Sequence, residues 1–346
     1  MQLLYDKLPE VLPGWYAEHK RDLPWRRDRE PYHVWLSEIM LQQTRVEAVR
    51  GYYSRFLAAL PTIADLAAAD PDALNKLWEG LGYYSRVRNL QKAAKIILEE
   101  HQGVFPSDYS SVRALPGIGD YTAGAILSIC FEQPTPAVDG NVLRVVSRVC
   151  EDFSPITDPK AKQAHRDRLA EVYPAGQCGA FTQSLMELGA TICVPNGAPR
   201  CRDCPCSGFC QAHAHGTVEQ LPVKVAKKAK RLERKTVFLL QCGDRWAVIK
   251  RPVKGLLAGL WSFPNVEGKL ETQEALDVAA GWGVHPTDVL KFVEKTHIFT
   301  HVQWDMRGYH LRCGAAPGPF TWVAREDLEE RFALPTAFRQ FWEPDM

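Results

Sequence analysis

Four cysteines fall close together near the middle of this chain: Cys193, Cys201, Cys204 and Cys210, spaced C-x7-C-x2-C-x5-C. No other feature restricts the fold so strongly. Four thiolates this near in sequence can close one soft-metal site, and the backbone on either side must then converge on it. The spacing reads as the ligand set of a [4Fe–4S] cluster. Zinc is the competitor, but zinc ribbons pair two C-x2-C knuckles across a longer loop, and here one C-x2-C is flanked by single cysteines. Cys206, in the Cys-Pro-Cys within the same loop, stays open as an alternative ligand. A disulfide scaffold is disfavoured, because a chain of 346 residues with 46% apolar residues and no apolar leader needs no staples for its core.

That length implies two domains. No apolar run approaches the ~20 residues that span a bilayer. Net charge is +1, divided as −3 for residues 1–222 (23 basic, 26 acidic) and +4 for 223–346 (19 against 15). Binding to a polyanion would therefore rest on local patches and backbone contacts, not on an overall field.

Residues 1–215 carry helical periodicity. Leu74, Leu77, Trp78 and Leu81 repeat at helical spacing, as do Leu90, Ala94, Ile97 and Leu98, and Ala123, Ile126, Leu127 and Cys130. Glycine and proline punctuate between these runs. Residues 216–235 read as a basic linker, extended and solvated, whose stretch 223–235 holds seven basic residues and one acidic one. Short apolar runs at Thr236–Gln241 and Trp246–Lys250, separated by Cys-Gly-Asp, then announce strands. A helix is expected near Gln273–Ala280, strands around Phe292–Phe299 and His301–Leu311, and a last helix over Ala337–Trp342. Residues 236–346 thus form a compact α+β domain, and no strand is expected before residue 235.

Leu115-Pro116-Gly117-Ile118-Gly119 joins two helical segments. Gly117 and Gly119 permit a tight turn whose N–H groups, beside the start of a helix near Asp120, form an anion site. Asp139, followed by Gly140 and Asn141, is placed to cap a helix over Val142–Val149. Read alone, Asp139 is only a cap. Its position, downstream of a hairpin and upstream of four cysteines, is what raises its interest.

That combination resembles the helix-hairpin-helix, iron–sulfur DNA glycosylases over residues 5–215, and Trp35-Leu-Ser-Glu38-Ile-Met-Leu-Gln-Gln43-Thr resembles their adenine-specific branch. The resemblance implies an all-α glycosylase domain at 1–215 with an iron–sulfur loop at 193–210. It assigns the catalytic carboxylate to Asp139 and the general acid to Glu38. The chemistry agrees. Adenine leaves poorly unless it is protonated, and a carboxyl desolvated among Trp35, Ile39, Met40 and Leu41 holds a proton towards neutral pH. An ionised partner can then stabilise an oxocarbenium-like sugar, as in paired-carboxylate glycoside chemistry. By the same resemblance Tyr121 and Asn141 position Asp139 and the sugar. Trp25 and Arg26 border the adenine pocket, Gln183 reads the adenine edge, and Gln43 and Tyr83 are wedges entering the DNA stack. Members that also cut the strand carry a lysine where this chain has Tyr121, and a tyrosine cannot form an imine.

In the same family the C-terminal domain is Nudix-like and recognises 8-oxoguanine opposite the adenine. The recognition loop here is Phe299-Thr300-His301. The Nudix catalytic box is broken: Gly268 and Glu274 keep its opening, but Trp282 and Gly283 stand in place of its Arg-Glu pair, so no nucleotide hydrolysis is expected. The expected protein is a monofunctional adenine DNA glycosylase with a [4Fe–4S] cluster. It would act as a monomer on double-stranded DNA bearing A:8-oxoG or A:G, in the cytoplasm with the nucleoid and without a targeting segment. A thymine or uracil mismatch glycosylase on the same scaffold, or a non-catalytic DNA-scanning protein, are the alternatives.

Overall fold

The computed structural model describes residues 2–225 and 229–342; residues 226–228 of the expected linker and 343–346 of the expected C-terminal domain lie outside the described residues. The chain is helical first: α1 (Gln2–Asp6), α2 (Leu8–His19), α3 (Pro31–Leu41), α4 (Val46–Ala59), α5 (Ile63–Ala68), α6 (Pro71–Leu77), α7 (Ser85–Glu100), α8 (Tyr109–Ala114), α9 (Asp120–Phe131), α10 (Gly140–Cys150), α11 (Pro159–Ala170), α12 (Cys178–Thr191) and α13 (Gln211–Ala214). Aspartates start several of these. Asp70, Asp108, Asp139 and Asp158 each accept backbone N–H groups of the first turn. Proline follows the cap in α6 and α11, where its missing N–H costs nothing.

Contacts divide the chain into two units. The first comprises Met1–Ala68 and Asn89–Ala226. In its core Leu8 and Leu12 of α2 meet Val142, Val145, Val146 and Val149 of α10, and Phe181, Leu185 and Leu188 of α12. The four valines recur at i, i+3, i+4 and i+7, one apolar face of a helix. Helix α9 is buried from Thr122 through Ile129, with polar residues only at Thr122 and Ser128. It lies so close to the segment leading to Asp139 that a Cβ on Gly124 would stand 2.2 Å from the Pro136 carbonyl oxygen.

The second unit comprises Ala69–Arg88 and Lys227–Met346. Its strands are β1 (Arg231–Cys242), β2 (Arg245–Lys250), β3 (Trp261–Ser262), β4 (Asn265–Glu267), β5 (Pro286–Ile298), β6 (Val302–Cys313) and β7 (Thr321–Ala324), with helices α14 (Thr272–Gly281), α15 (Arg325–Glu330) and α16 (Thr336–Arg339). The order is β3-β2-β1-β6-β5, with β4 also on β1 and β7 on β2. β1 runs parallel to β6, from Arg231 opposite Val302 to Gln241 opposite Arg312, and the other pairs are antiparallel. Both faces of β1 are covered. Val237 and Leu239 point into one core with Trp304 and Met306, while Phe238 and Leu240 point into another with Ala275 and Ala279 of α14.

Three expectations are corrected here. β1 begins at Arg231, inside the stretch read as solvated linker, because its charged residues take register against β6. The start of that linker is also held: Arg148 of α10 donates to the Val218 and Leu221 carbonyls, Ile156 N–H donates to Val223, and Leu221 is buried. Ala69–Arg88, read as part of the helical domain, packs within the sheet unit. Asp72 pairs with Lys250 at 2.9 Å, Glu79 accepts the Leu334 N–H at 2.9 Å, and Arg88 donates to the Ala258 carbonyl at 3.0 Å.

Candidate active site

A cavity of ≈ 440 Å³ in the helical unit is lined by Trp25, Arg26, Glu38, Gln43, Tyr121, Asp139, Asn141 and Gln183, all expected from sequence, together with Glu187 and Met186. Glu38 projects from α3 and is 6% exposed. Burial pushes its carboxyl up to about 7; the Tyr121 hydroxyl opposes this, donating to Oε2 at 2.6 Å, and the neighbouring Asp139 charge adds to the rise. Tyr121 was expected to serve Asp139, yet its hydroxyl goes to Glu38. Its own ionisation is pushed far up, chiefly by burial.

Asp139 is held differently. As the cap of α10 its Oδ1 accepts the N–H groups of Asn141 and Val142, each at 2.8 Å, and its Oδ2 accepts Asn141 Nδ2 at 2.8 Å. Burial raises its proton affinity on balance, with the three N–H donors and the Arg144 charge working towards the anion. Glu38 has a single hydroxyl as its side-chain donor. Of two carboxyls lining one cavity, Glu38 is thus the one suited to hold a proton and Asp139 the one suited to carry charge.

Behind Asp139 runs a chain that the sequence did not announce. Asn141 Oδ1 accepts Arg144 Nη2 at 2.9 Å; Arg144 Nη2 also reaches the Gly189 carbonyl at 2.7 Å, and its Nε reaches the Cys193 carbonyl at 2.7 Å. Arg144 stands three residues after Asn141 in α10, on the same helix face. A lone arginine among Val142, Leu143, Val145 and Val146 was the available signal.

The cavity wall holds a second network that the sequence did not announce. Glu187, whose side chain is fully buried, takes two bonds from the Arg21 guanidinium (2.7 and 2.8 Å), one from the Arg21 backbone N–H (3.0 Å) and one from Arg26 (2.7 Å). Burial would push its carboxyl up, but the two guanidiniums outweigh that and hold it down at about 2. Gln183 Oε1 accepts from the Tyr16 hydroxyl at 2.9 Å, and its Nε2 turns to the Gly179 carbonyl at 3.3 Å. Trp25 lies edge-on to Tyr53 at 5.6 Å. Gln43 follows α3 in the left-handed region at φ 58 and is exposed. In the hairpin between α8 and α9, Gly117 takes φ 82 and faces Asn89 so closely that a Cβ would stand 2.9 Å from the Asn89 Cβ. Gly119 caps α9 in ordinary extended geometry.

Cys193, Cys201, Cys204, Cys206 and Cys210 line one smaller cavity. Arg148 Nη1 donates to Cys193 Sγ at 3.2 Å. Among the described residues no three His, Cys, Asp or Glu side chains are gathered as ligands of a single ion.

In the sheet unit, Phe299, Thr300 and His301 form the turn between β5 and β6, with Phe299 edge-on to Trp304 at 4.8 Å and Thr300 and His301 exposed. Tyr83, at φ 47, is in the same unit and 47% exposed, and its hydroxyl meets Thr300 Oγ1 at 2.8 Å. Glu274 of the broken Nudix box closes a capping box on Glu271, and Trp282 packs edge-on against Phe238 and Phe320.

The sequence model described as HhH-GPD superfamily base excision DNA repair protein matches residues 36–171, and the NUDIX domain model matches residues 236–344. The adenine DNA glycosylase of Rattus norvegicus is 35% identical over 393 residues, covering 95% of this chain and 76% of that protein. The chain belongs to the adenine DNA glycosylase family. The family's member in Homo sapiens is 34% identical, covering 95% of this chain and 72% of its own, and that of Buchnera aphidicola subsp. Schizaphis graminum is 36% identical, with 77% of each covered. Among solved structures, a thermostable thymine-DNA glycosylase superposes with a TM-score of 0.56 at 25% identity, over 61% of this chain and 97% of that one. An endonuclease III–DNA complex superposes at 0.51 with 22% identity, over 60% and 94%, which shows a shared fold. Among the described residues of this family member, no helix is long and apolar enough to cross a membrane.

Proposed function

We propose that this protein excises adenine mispaired with 8-oxoguanine or guanine in duplex DNA and leaves an abasic site. The observation that carries this reading is the pair of unlike carboxyls in one cavity, Glu38 raised to about 7 and Asp139 held by three N–H donors. The adenine DNA glycosylases to which the chain is similar support the choice of base.

The hairpin with Gly117 and Gly119 offers backbone N–H groups to a DNA phosphate. Gln43 and Tyr83 fill space in the stack, compensating the few kcal/mol (roughly) that flipping a base costs. Adenine enters past Trp25 and Arg26, and Gln183 meets its edge with one acceptor and one donor. Glu38, protonated, gives its proton to the ring and the glycosidic bond breaks. Asp139 stabilises the cationic sugar while water completes the hydrolysis. Asn141 orients Asp139, and the Tyr121 hydroxyl steadies the Glu38 anion left behind. Among the described residues lining the cavity none is a lysine, so the product strand stays uncut. Opposite the adenine, Phe299, Thr300 and His301 meet the purine. A threonine hydroxyl both donates and accepts, which suits the N7–H and O8 of 8-oxoguanine.

The donor set at the second cavity fits a [4Fe–4S] cluster: soft sulfur from Cys193, Cys201, Cys204 and Cys210, with an N–H to Cys193 from Arg148. When bound, the cluster cross-links this loop. Arg144, bonded to the Cys193 carbonyl and to Asn141, ties the loop to the residue that orients Asp139.

The test is single-turnover cleavage of duplexes bearing A:8-oxoG, A:G, T:G and U:G, with and without alkali. Base release from the two adenine duplexes, with strand breaks only after alkali and little borohydride-trapped complex, is expected. Preferential release from T:G or U:G would replace this reading with the mismatch alternative.

A further inference from the structure

The cavity of the cysteine loop has more sulfur than a four-iron cluster uses. Cys206 lines it with the four expected ligands and is 1% exposed, the most buried of the five. A series of turns puts it between two of them. The Cys204 N–H donates to the Cys201 carbonyl, the Ser207 N–H to the Cys204 carbonyl, and both the Phe209 and Cys210 N–H groups to the Cys206 carbonyl at 3.1 and 2.9 Å. Cys206 follows Cys204 by two residues inside the turn that the Ser207 N–H closes on the Cys204 carbonyl at 3.0 Å, and both residues line the cavity. Two sulfurs from residues two apart in one turn, lining one cavity, can reach the same metal position with little backbone movement.

We infer that Cys206 is a reserve ligand, standing ready to replace Cys204 on the iron that Cys204 would hold. This rests on the cluster reading above. The exchange is a ligand substitution without redox change. The Cys206 thiol gives its proton to solvent as its sulfur would bind iron, and the Cys204 sulfur, whose bond to that iron is lost, leaves as thiolate and takes a proton from solvent. Cys201 is less well served, since its turn bonds it to Cys204 and not to Cys206.

The experiment compares the full chain with Cys201→Ala, Cys204→Ala, Cys206→Ala and the Cys204→Ala/Cys206→Ala double variant, by iron and acid-labile sulfide per chain and by visible absorption. Wild type, Cys206→Ala and Cys204→Ala should keep most of their iron, and Cys201→Ala and the double variant should lose it. Equal loss in Cys204→Ala and Cys201→Ala would overturn the inference while leaving the cluster intact in wild type. Wild type free of iron would instead overturn the cluster reading. Should Cys204→Ala fail to fold, the rate of iron release to a chelator decides between wild type and Cys206→Ala. Faster release from Cys206→Ala supports a thiol that recaptures iron, and equal rates refute it.

Discussion

Replacing Glu38 by glutamine should abolish catalysis and stabilise the protein at the same time. Glu38 is buried, and its proton affinity is raised from an ordinary value of 4.5 to about 7. A carboxyl raised by folding favours the folded state while it is protonated. That contribution is complete below about 4.5 and is lost as pH rises through about 7. Above that range the folded chain carries a buried anion whose cost is about 3 kcal/mol, at about 1.4 kcal/mol per tenfold change in proton affinity. Glutamine has the same shape, keeps an acceptor for the Tyr121 hydroxyl and never ionises. Glu38→Gln should therefore gain thermal stability over wild type progressively between pH 5 and about 8. In single-turnover assays on A:8-oxoG it should lose at least ~100-fold in base release, because an amide cannot supply the proton. Wild-type base release should itself decline as pH rises through about 7. A stability difference that does not change with pH would refute the raised affinity, and near-normal cleavage by Glu38→Gln would move the acid elsewhere.

Three further outcomes are expected. Arg144→Ala leaves the Asn141, Gly189 and Cys193 acceptors unmatched and should cost on the order of 1–3 kcal/mol in denaturant unfolding, with slower base release; Arg144→Lys, lacking the planar fork, should not restore it. Gly124→Ala drives a methyl against the Pro136 carbonyl and should destabilise by about 1–3 kcal/mol or more by the same measurement, although Gly124 touches no substrate. Thr300→Ala should lower the ratio of single-turnover rates on A:8-oxoG and A:G by roughly tenfold or more, as loss of a base-edge contact worth about 1–3 kcal/mol implies, while Thr300→Ser keeps it.

Local features of the site were legible in the sequence. Glu38 could be read as desolvated because Trp35, Ile39 and Met40 surround it in one helix, and all three are buried. Asp139 could be read as a cap because a short polar side chain before Gly-Asn-Val has that one local role, which it fills. What escaped depends on how distant helices face one another. Tyr121 turns to Glu38 across 83 residues, and Glu187 gathers Arg21 and Arg26 from more than 160 residues away. No periodicity within α9 or α12 encodes either choice. The same holds for residues 216–223, whose composition is that of a tether until Arg148 supplies donors to their carbonyls. The start of β1 is not legible either, because charged residues on a partly exposed strand look like a solvated run.

The discontinuity of the sheet unit bears on the order in which the protein can be made. Its parts are Ala69–Arg88 and Lys227–Met346, so the first leaves the ribosome well before the second. The Asp72–Lys250 ion pair closes a span of 178 residues, and the bond from the Leu334 N–H to Glu79 closes one of 255. Nothing local can substitute for such contacts, and the parallel pairing of β1 with β6 must also wait for a strand emerging some seventy residues later. During synthesis α6 and the turn carrying Tyr83 are therefore committed to a partner that does not yet exist. This unit is completed only after the helical unit has been made, and the early segment stays exposed to misassembly and proteolysis until the later strands and helices arrive.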